Sequence, residues 1–291
     1  MKILIIGNPI ASGGDAGKRI SALKDALEKK GHSAEAYLTK FAGDGKERVS
    51  KVEDDVDRIV IVGGDGTVNE VINGIPEGFK TPLLQLPTGN ANLLARDLKL
   101  PKTIDKVVSL LENGTVIMAD VAQMNGTRFI MVAGAGLDAR VTEALKRKRT
   151  GRVNNFSYLG PILEALGQHS KSEFCVEVDG AAPVTGAAVL VCNIRNYAGI
   201  CDIAYDADIA SRVLDIVVLP KDNLFSFLKY LLFARFSKIT RLKNIKYLKG
   251  KKIKITSDIQ IPIELDGDFN DRHAEVQIEL LQEQVPLIVP V

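Results

Sequence analysis

The first third of the chain alternates short apolar, β-branched runs with stretches in which apolar positions recur every three or four residues. Lys2–Ile6, Ser33–Leu38, Arg58–Val62 and Leu83–Leu86 carry the strand pattern. Asp15–Lys30, the neighbourhood of Lys46–Val52, Thr67–Asn73 and Ala91–Asp97 carry the helical one. Strand and helix in alternation predict a parallel sheet, because parallel neighbours need a crossover between them. Ligands of such sheets bind beyond the carboxyl ends of the strands, so chemistry is expected just after Ile6, Leu38, Val62 and Leu86.

From about Thr115 the pattern changes. Strand-like segments follow one another at Val116–Met124, Arg128–Val132, Glu173–Val178, Ala187–Asn193, Leu214–Leu219, Lys252–Thr256, Pro262–Leu265 and Ala274–Leu280, with helices interspersed. They predict a second, mainly antiparallel β domain, with the boundary near Ala122: residues 1–122 form the α/β domain and 123–282 the β domain. The strand-like run Val285–Val291 is not assigned to either sheet by its pattern.

A length of 291 residues suits two domains of this kind, and 46% apolar residues supply a core for each. The net charge of +2 provides no global basic field, which argues against a nucleic-acid partner. Leu224–Phe236 is interrupted by Ser226, Lys229 and Arg235 and is shorter than the ~20 residues a transmembrane helix needs. The N-terminus reads as a first strand and not as a signal peptide, so a cytoplasmic protein is expected. Cys175, Cys192 and Cys201 lack metal-type spacing and read as reduced, packed thiols. His32, His169 and His273 are scattered, so no catalytic triad or metal cluster is drawn from them.

The strongest motif is Gly63-Gly64-Asp65-Gly66-Thr67, between a strand and a helix. Its glycines are expected to take positive φ and admit a ligand to the backbone, the helix start offers free N–H groups to phosphate, and Asp65 is placed to hold a metal or accept a proton. Val68 and Asn69 continue the helix, and Asn69 is one turn from the loop. Leu86-Pro87-Thr88-Gly89-Asn90-Ala91-Asn92 repeats the arrangement on the neighbouring strand, so two phosphate-style loops are expected to converge. Asn8, beside Ser12-Gly13-Gly14, and Thr39 hold the same position after the first two strands. Gly17-Lys18 is not a Walker A loop, since Arg19 stands where Ser or Thr is required. Gly134-Ala135-Gly136-Leu137-Asp138-Ala139 imitates a dinucleotide fingerprint without its downstream acid, and reads as a close strand–helix turn at the domain junction. Asp266-Gly267-Asp268 is either a pair of working carboxylates or a β-turn. Leu224–Phe236 has a narrow polar face and is followed by Lys238, Arg241, Lys243, Lys246, Lys249, Lys251, Lys252 and Lys254 with no intervening acid, while Lys146–Arg149 with Arg152 forms a second basic cluster. Each reads either as core helix and solvated strand or as a lipid-facing surface.

GGDGTVNE at 63–70, LPTGNANLLARDL at 86–98, GAGLDA at 134–139 and LDGD at 265–268 together resemble the diacylglycerol-kinase catalytic-domain family, its bacterial soluble lipid kinases above all, with sphingosine kinases as relatives. The resemblance implies a nucleotide-binding α/β domain completed by a returning last strand (283–291), a C-terminal β-sandwich that takes the lipid, and an active site between them. It implies ATP contacts at Asn8, Thr39, Gly63, Gly64, Asp65, Gly66, Thr67, Val68, Asn69, Gly89, Asn90 and Asn92, Mg²⁺ as partner of ATP, Asp268 as general base where the family has Glu, and Asp120 as an acid near the reaction. The sequence departs from the family at Asn90 (usually Thr), at Leu93 (often Asp) and at Ser211-Arg212-Val213-Leu214-Asp215, where Asp-Gly-x-Leu-Asp would hold a structural magnesium. The expected activity is ATP-dependent phosphorylation of a lipid hydroxyl such as that of diacylglycerol, at the inner membrane face. An NAD-kinase-like soluble-substrate kinase and a non-catalytic nucleotide-binding regulator are the alternatives. An exposed sheet edge offers a means of pairing two copies.

Overall fold

The structure is a computed structural model that describes residues 1–9, 15–148, 173–236, 239, 242 and 244–291. Ser12-Gly13-Gly14, Arg149, Arg152, the segment 153–159, His169, Lys238, Arg241 and Lys243 lie outside the described residues. The chain divides into two units, residues 1–121 with 282–291 and residues 122–281.

The first unit runs β1 (Lys2–Gly7), α1 (Asp15–Lys29), β2 (Ser33–Leu38), α2 (Asp44–Val49), β3 (Arg58–Gly63), α3 (Asp65–Gly74), β4 (Leu83–Pro87), α4 (Leu93–Asp97), α5 (Ile104–Asn113) and most of β5 (Thr115–Met124). Its strands lie in the order β2-β1-β3-β4 and all pair in parallel. Leu287, near the end of β16 (Asp268–Val289), adds a parallel partner for Leu83 on the free edge of β4. Helices cover the sheet, so Ile3, Ile5, Val60, Val62, Leu84 and Leu86 are buried against Ile20, Leu23 and Leu27 of α1 and Val107, Val108 and Leu111 of α5. Spacings of three and four residues place those α1 side chains on one face. The chain leaves β1 toward β2 on one side and reaches β3 on the other, so a switch point lies between the carboxyl ends of β1 and β3.

The second unit contains β6 (Thr127–Phe129), β7 (Val132–Ala135), α6 (Leu137–Lys148), β8 (Phe174–Val178), β9 (Val184–Gly186), β10 (Ala188–Cys192), β11 (Asn196–Tyr197), β12 (Cys201–Asp202), β13 (Leu214–Leu219), α7 (Leu224–Arg235), β14 (Lys246–Gly250), β15 (Lys252–Leu265) and the first part of β16. Strands β14-β13-β10-β7-β15-β16 follow one another antiparallel, and β8 also pairs with β15. Alternate residues such as Val189 and Val191, Ile216 and Val218, and Ile253 and Ile255 fill its core with Phe129 and Phe174.

Several boundaries differ from the sequence reading for physical reasons. Arg128–Val132 is not one strand, because the Asp266 carboxylate takes the amides of Ile130, Met131 and Val132 at 3.1, 2.8 and 3.1 Å. Lys252–Thr256 and Pro262–Leu265 are one strand with a register shift between Thr256 and Ile261. Gly134–Ala139 is a strand–helix turn, with Gly136 at φ 100°, within the second unit. Helix α5 was not expected from the pattern at all.

Candidate functional site

In the first unit the loops after β1, β2, β3 and β4 are fastened to one another. Thr39, buried at the end of β2, donates its N–H to the Gly7 carbonyl at 2.9 Å, next to half-buried Asn8. Thr88 N–H and the Gln85 amide both donate to the Gly63 carbonyl, at 3.2 and 3.1 Å. Asp65 accepts the Leu93 N–H at 2.8 Å, so the carboxylate of one loop ties down the other. The two expected phosphate loops therefore do converge.

The glycines matter for space and not for handedness. None of Gly63, Gly64 and Gly66 takes a positive φ, contrary to the sequence expectation. Instead, a Cβ on Gly89 would lie 2.7 Å from the Cα of Gly64, and one on Gly63 would strike the Thr67 side chain. Backbone meets backbone here, at a separation that leaves no room for a side chain at either glycine. Helix α3 starts at Asp65 with Gly64 as its N-cap and lasts ten residues, so Asp65, Gly66 and Thr67 form its first turn, where the Thr67 N–H closes on the Gly64 carbonyl at 3.1 Å. Val68 is buried, while Asn69 is half-buried and its side-chain oxygen accepts from Asn73. Helix α4 has only five residues, so no sizeable helix dipole stands behind the second loop, whose Thr88, Gly89 and Leu93 amides go to Gly63, Asn92 and Asp65. Within it Asn90 is exposed, whereas Asn92 is buried at φ 49° and uses both ends of its amide on Gly89, accepting at 2.9 Å and donating at 2.6 Å. Asn92 thus shapes the loop instead of facing outward as a ligand contact.

Three acids in this unit have supporting parts. Asp44 accepts from the Tyr37 hydroxyl and the Lys40 amide, which hold its carboxyl below the ordinary range and push the Tyr37 phenol up. Glu70, one residue after Asn69, accepts the Gly43 N–H at 3.1 Å, which anchors the loop that follows Thr39. Asp120 is fully buried on β5 and accepts the Gln284 amide at 2.9 Å.

In the second unit Asp266 and Gly267 form a two-residue hairpin loop with φ of 52° and 90°, closed by the pair Leu265–Asp268. Positive φ at both positions is the type I′ requirement that Asp-Gly meets. Asp266 is therefore a structural carboxylate, and Asp268 is the exposed one, at the start of β16. Below the turn, Glu264 accepts the Gly267 N–H at 2.7 Å and hydrogen-bonds with Asp138 of α6, which also bonds to Tyr197 of β11. Burial raises both carboxyls above their ordinary range, Glu264 strongly, and pushes Tyr197 up as well. Space for the pair comes from Gly134, whose Cβ would lie 2.7 Å from Glu264 Oε1 and 2.9 Å from Asp138 Oδ2. Glu264 escaped the sequence reading; an acid inside the apolar run Ile261–Leu265 was the signal available.

Asp138 and Tyr197 also border a small cavity whose walls include Leu137, Leu190, Ile203 and Leu231. The position that would carry a structural magnesium does not fit one. Ser211 donates to the Val213 carbonyl, Arg212 donates to the Leu281 carbonyl, and the Lys249 ammonium lies 2.6 Å from Asp206 and 3.6 Å from buried Asp215. A fixed cation already supplies the positive charge there. Among the described residues no group of three or more His, Cys, Asp or Glu could hold a metal ion.

Comparison with known proteins agrees with this arrangement. Residues 2–124 match the diacylglycerol kinase catalytic domain, and residues 131–289 match the YegS C-terminal NAD kinase beta sandwich-like domain. A diacylglycerol kinase of Staphylococcus carnosus is 30% identical over 269 residues, covering 91% of this chain and 88% of that protein. The crystal structure of a diacylglycerol kinase from Bacillus anthracis superposes with a TM-score of 0.78 at 26% identity, covering 99% of this chain and 96% of the other. An NAD kinase from Archaeoglobus fulgidus, solved in complex with ATP, shares the fold at a TM-score of 0.54 and 13% identity, covering 99% of this chain and 93% of the other. The chain belongs to the diacylglycerol kinase family, a family of kinases.

Proposed function

We propose that the protein transfers the γ-phosphoryl group of ATP to the hydroxyl of a membrane-derived amphiphile, with diacylglycerol the leading substrate class. The observation that carries this reading is the close contact of the two glycine loops, Gly64 against Gly89, at the start of α3. Phosphoryl transfer is mostly a matter of positioning and charge stabilisation, which backbone amides supply without reorganisation. Gly63, Gly64, Gly66, Thr67 and Gly89 hold the phosphates, and Asn8, Thr39, Asn69 and exposed Asn90 hydrogen-bond the rest of the nucleotide.

Mg²⁺ bound with ATP would offset phosphate charge, and half-buried Asp65, beside both loops, would be the carboxylate to hold it. Asp268 orients the acceptor hydroxyl and takes its proton as the new O–P bond forms and the bond to the ADP oxygen breaks. Asp120 acts from behind through its bond to Gln284. The apolar walls of the second unit's cavity suit an acyl chain, which a soluble acceptor such as NAD does not have.

The test is transfer of labelled γ-phosphate with Mg²⁺ into diacylglycerol, monoacylglycerol or sphingosine in mixed micelles, with NAD alongside. Label in diacylglycerol is the expected result, and label in NAD alone overturns the lipid assignment. Asp268→Ala should lower turnover about 100- to 10,000-fold while ATP binding holds. Turnover retained in that variant moves the base to another carboxylate.

A further inference from the structure

Helix α7 is built inside out for a helix on the surface of a water-soluble domain. Asn223 caps it, its side-chain oxygen accepting the Ser226 N–H at 2.9 Å, and the ion pair of buried Arg140 with half-buried Asp222 at 2.6 Å fixes the approach to it. Ser226, Tyr230 and Ala234, four residues apart, are buried. On the opposite side Phe225, Leu228, Leu232 and Phe236 are 80%, 56%, 58% and 62% exposed. At about 100° per residue these four fall within an arc of roughly 80°, and exposed Lys229 and Arg235 flank it on either side. A surface helix normally turns its polar face to water, and a continuous apolar stripe there marks an interaction surface.

We propose that this face of α7 lies against an anionic lipid bilayer, with Phe225, Leu228, Leu232 and Phe236 sunk among the acyl chains and Lys229 and Arg235 reaching back to the headgroups. Two further observations select that occupant. From Leu224 to Ser257 the sequence has ten Lys and Arg and no Asp or Glu; Lys249 and Lys254 pair with Asp206 and Glu275 from elsewhere in the chain, and the remaining excess of cations is complementary to anionic headgroups. The same pattern opposes a second copy, because a two-fold contact would set one cationic segment against the other. On its inner side α7 supplies Tyr230 and Leu231 to the wall of the cavity bordered by Asp138 and Tyr197. A helix with one side in the lipid and the other on an apolar-walled cavity is where a membrane-derived acceptor would arrive. That last link rests on the kinase reading, but the docking surface does not.

The test is sedimentation of the full chain, without ATP, with vesicles of phosphatidylcholine alone or containing about one third phosphatidylglycerol. The protein should bind the anionic vesicles and release them as salt rises. Leu228→Glu with Leu232→Glu should weaken binding at least about tenfold, with circular dichroism and Tm unchanged, since both side chains are more than half exposed. Lys229→Ala with Arg235→Ala should weaken it by about fivefold per charge and abolish the preference for anionic lipid. Failure of the wild type to bind, equal binding by the Leu228→Glu/Leu232→Glu protein, or a dimer in solution that this variant dissociates would each overturn the proposal. Vesicle binding without phosphate transfer to any lipid would remove the kinase reading and leave the surface standing. Phosphate transfer without vesicle binding would do the reverse.

Discussion

The loops of the first unit and the acid pair of the second handle polar groups in opposite ways. At the ends of β3 and β4 the working material is backbone amide and small side chains, half open to solvent, with Asp65 serving as a bolt between loops. Under the Asp266–Gly267 turn the material is ionisable and buried: Glu264, Asp138 and Tyr197 come from three distant segments and share hydrogen bonds out of water. The first arrangement brings two loops together at the start of a ten-residue helix, whose dipole favours an anion. The second stabilises its own turn and carries as little charge as its protons allow. Under the proposed function, openness marks the region that would receive the nucleotide, and closure marks the region that would hold the reacting carboxylate in place.

The contrast can be broken most sharply at Gly89. Gly89→Val would drive side-chain atoms into the Gly64 backbone and force the loops apart, so ATP affinity should fall by about 100-fold or more while the β domain melts as before. Equilibrium nucleotide binding and urea unfolding together check it. Glu264→Ala should do the converse, leaving nucleotide binding alone and costing about 2–4 kcal/mol of stability through the lost Gly267 bond and the hole left behind.

The same acid gives the comparison a pH signature. Because Asp138 and Glu264 both titrate above their ordinary values, the folded unit keeps protons that the unfolded chain releases as pH climbs past about 4.5. Their contribution to stability is therefore complete at lower pH and is lost as pH rises toward their folded values. Glu264→Gln, whose amide can still accept from Gly267 and can donate to Asp138, should flatten that decline, measured as urea stability at pH 5 and pH 8. A wild type equally stable at both would remove the buried pair from the account.

The smallest effect belongs to Lys249. Its ammonium is 41% exposed, so Lys249→Met should cost about 1 kcal/mol or less despite the buried carboxylate beside it, and chelation of divalent ions should leave the wild-type Tm unchanged. A Tm that falls on chelation would show a metal where the structure has a lysine.

What could be read from the sequence divides along the same line. The glycine loops are local: a few consecutive residues state both the turn and its chemistry, and Gly63–Thr67 and Pro87–Asn92 fall beside one another because β3 and β4 do. Even there the reason for the glycines was hidden, since the clash between Gly64 and Gly89 involves residues 25 positions apart. The buried acids were almost illegible. Asp138 passed for part of a glycine turn, Glu264 for a strand residue, and Tyr197 lies in a two-residue strand with no periodicity to announce it. Asp266 was visible as half of an acid pair, but its three backbone partners at Ile130–Val132 are more than 130 residues away. For α7 the composition was plain, and which face it buries depended on Ser226, Tyr230 and Ala234 finding neighbours.

Strand β16 carries a consequence for how the protein is made. Leu287 stands beside Leu83 in the sheet, and the first unit stops at Val121 only to resume at Gln282, about 160 residues later. During synthesis β4 must therefore wait with an open edge while the whole second unit emerges. At roughly 5–20 residues per second the delay is about 10–30 s. An unpaired, apolar strand edge exposed for that long is a target for other nascent chains, and shielding it falls to whatever chaperone meets the half-made protein.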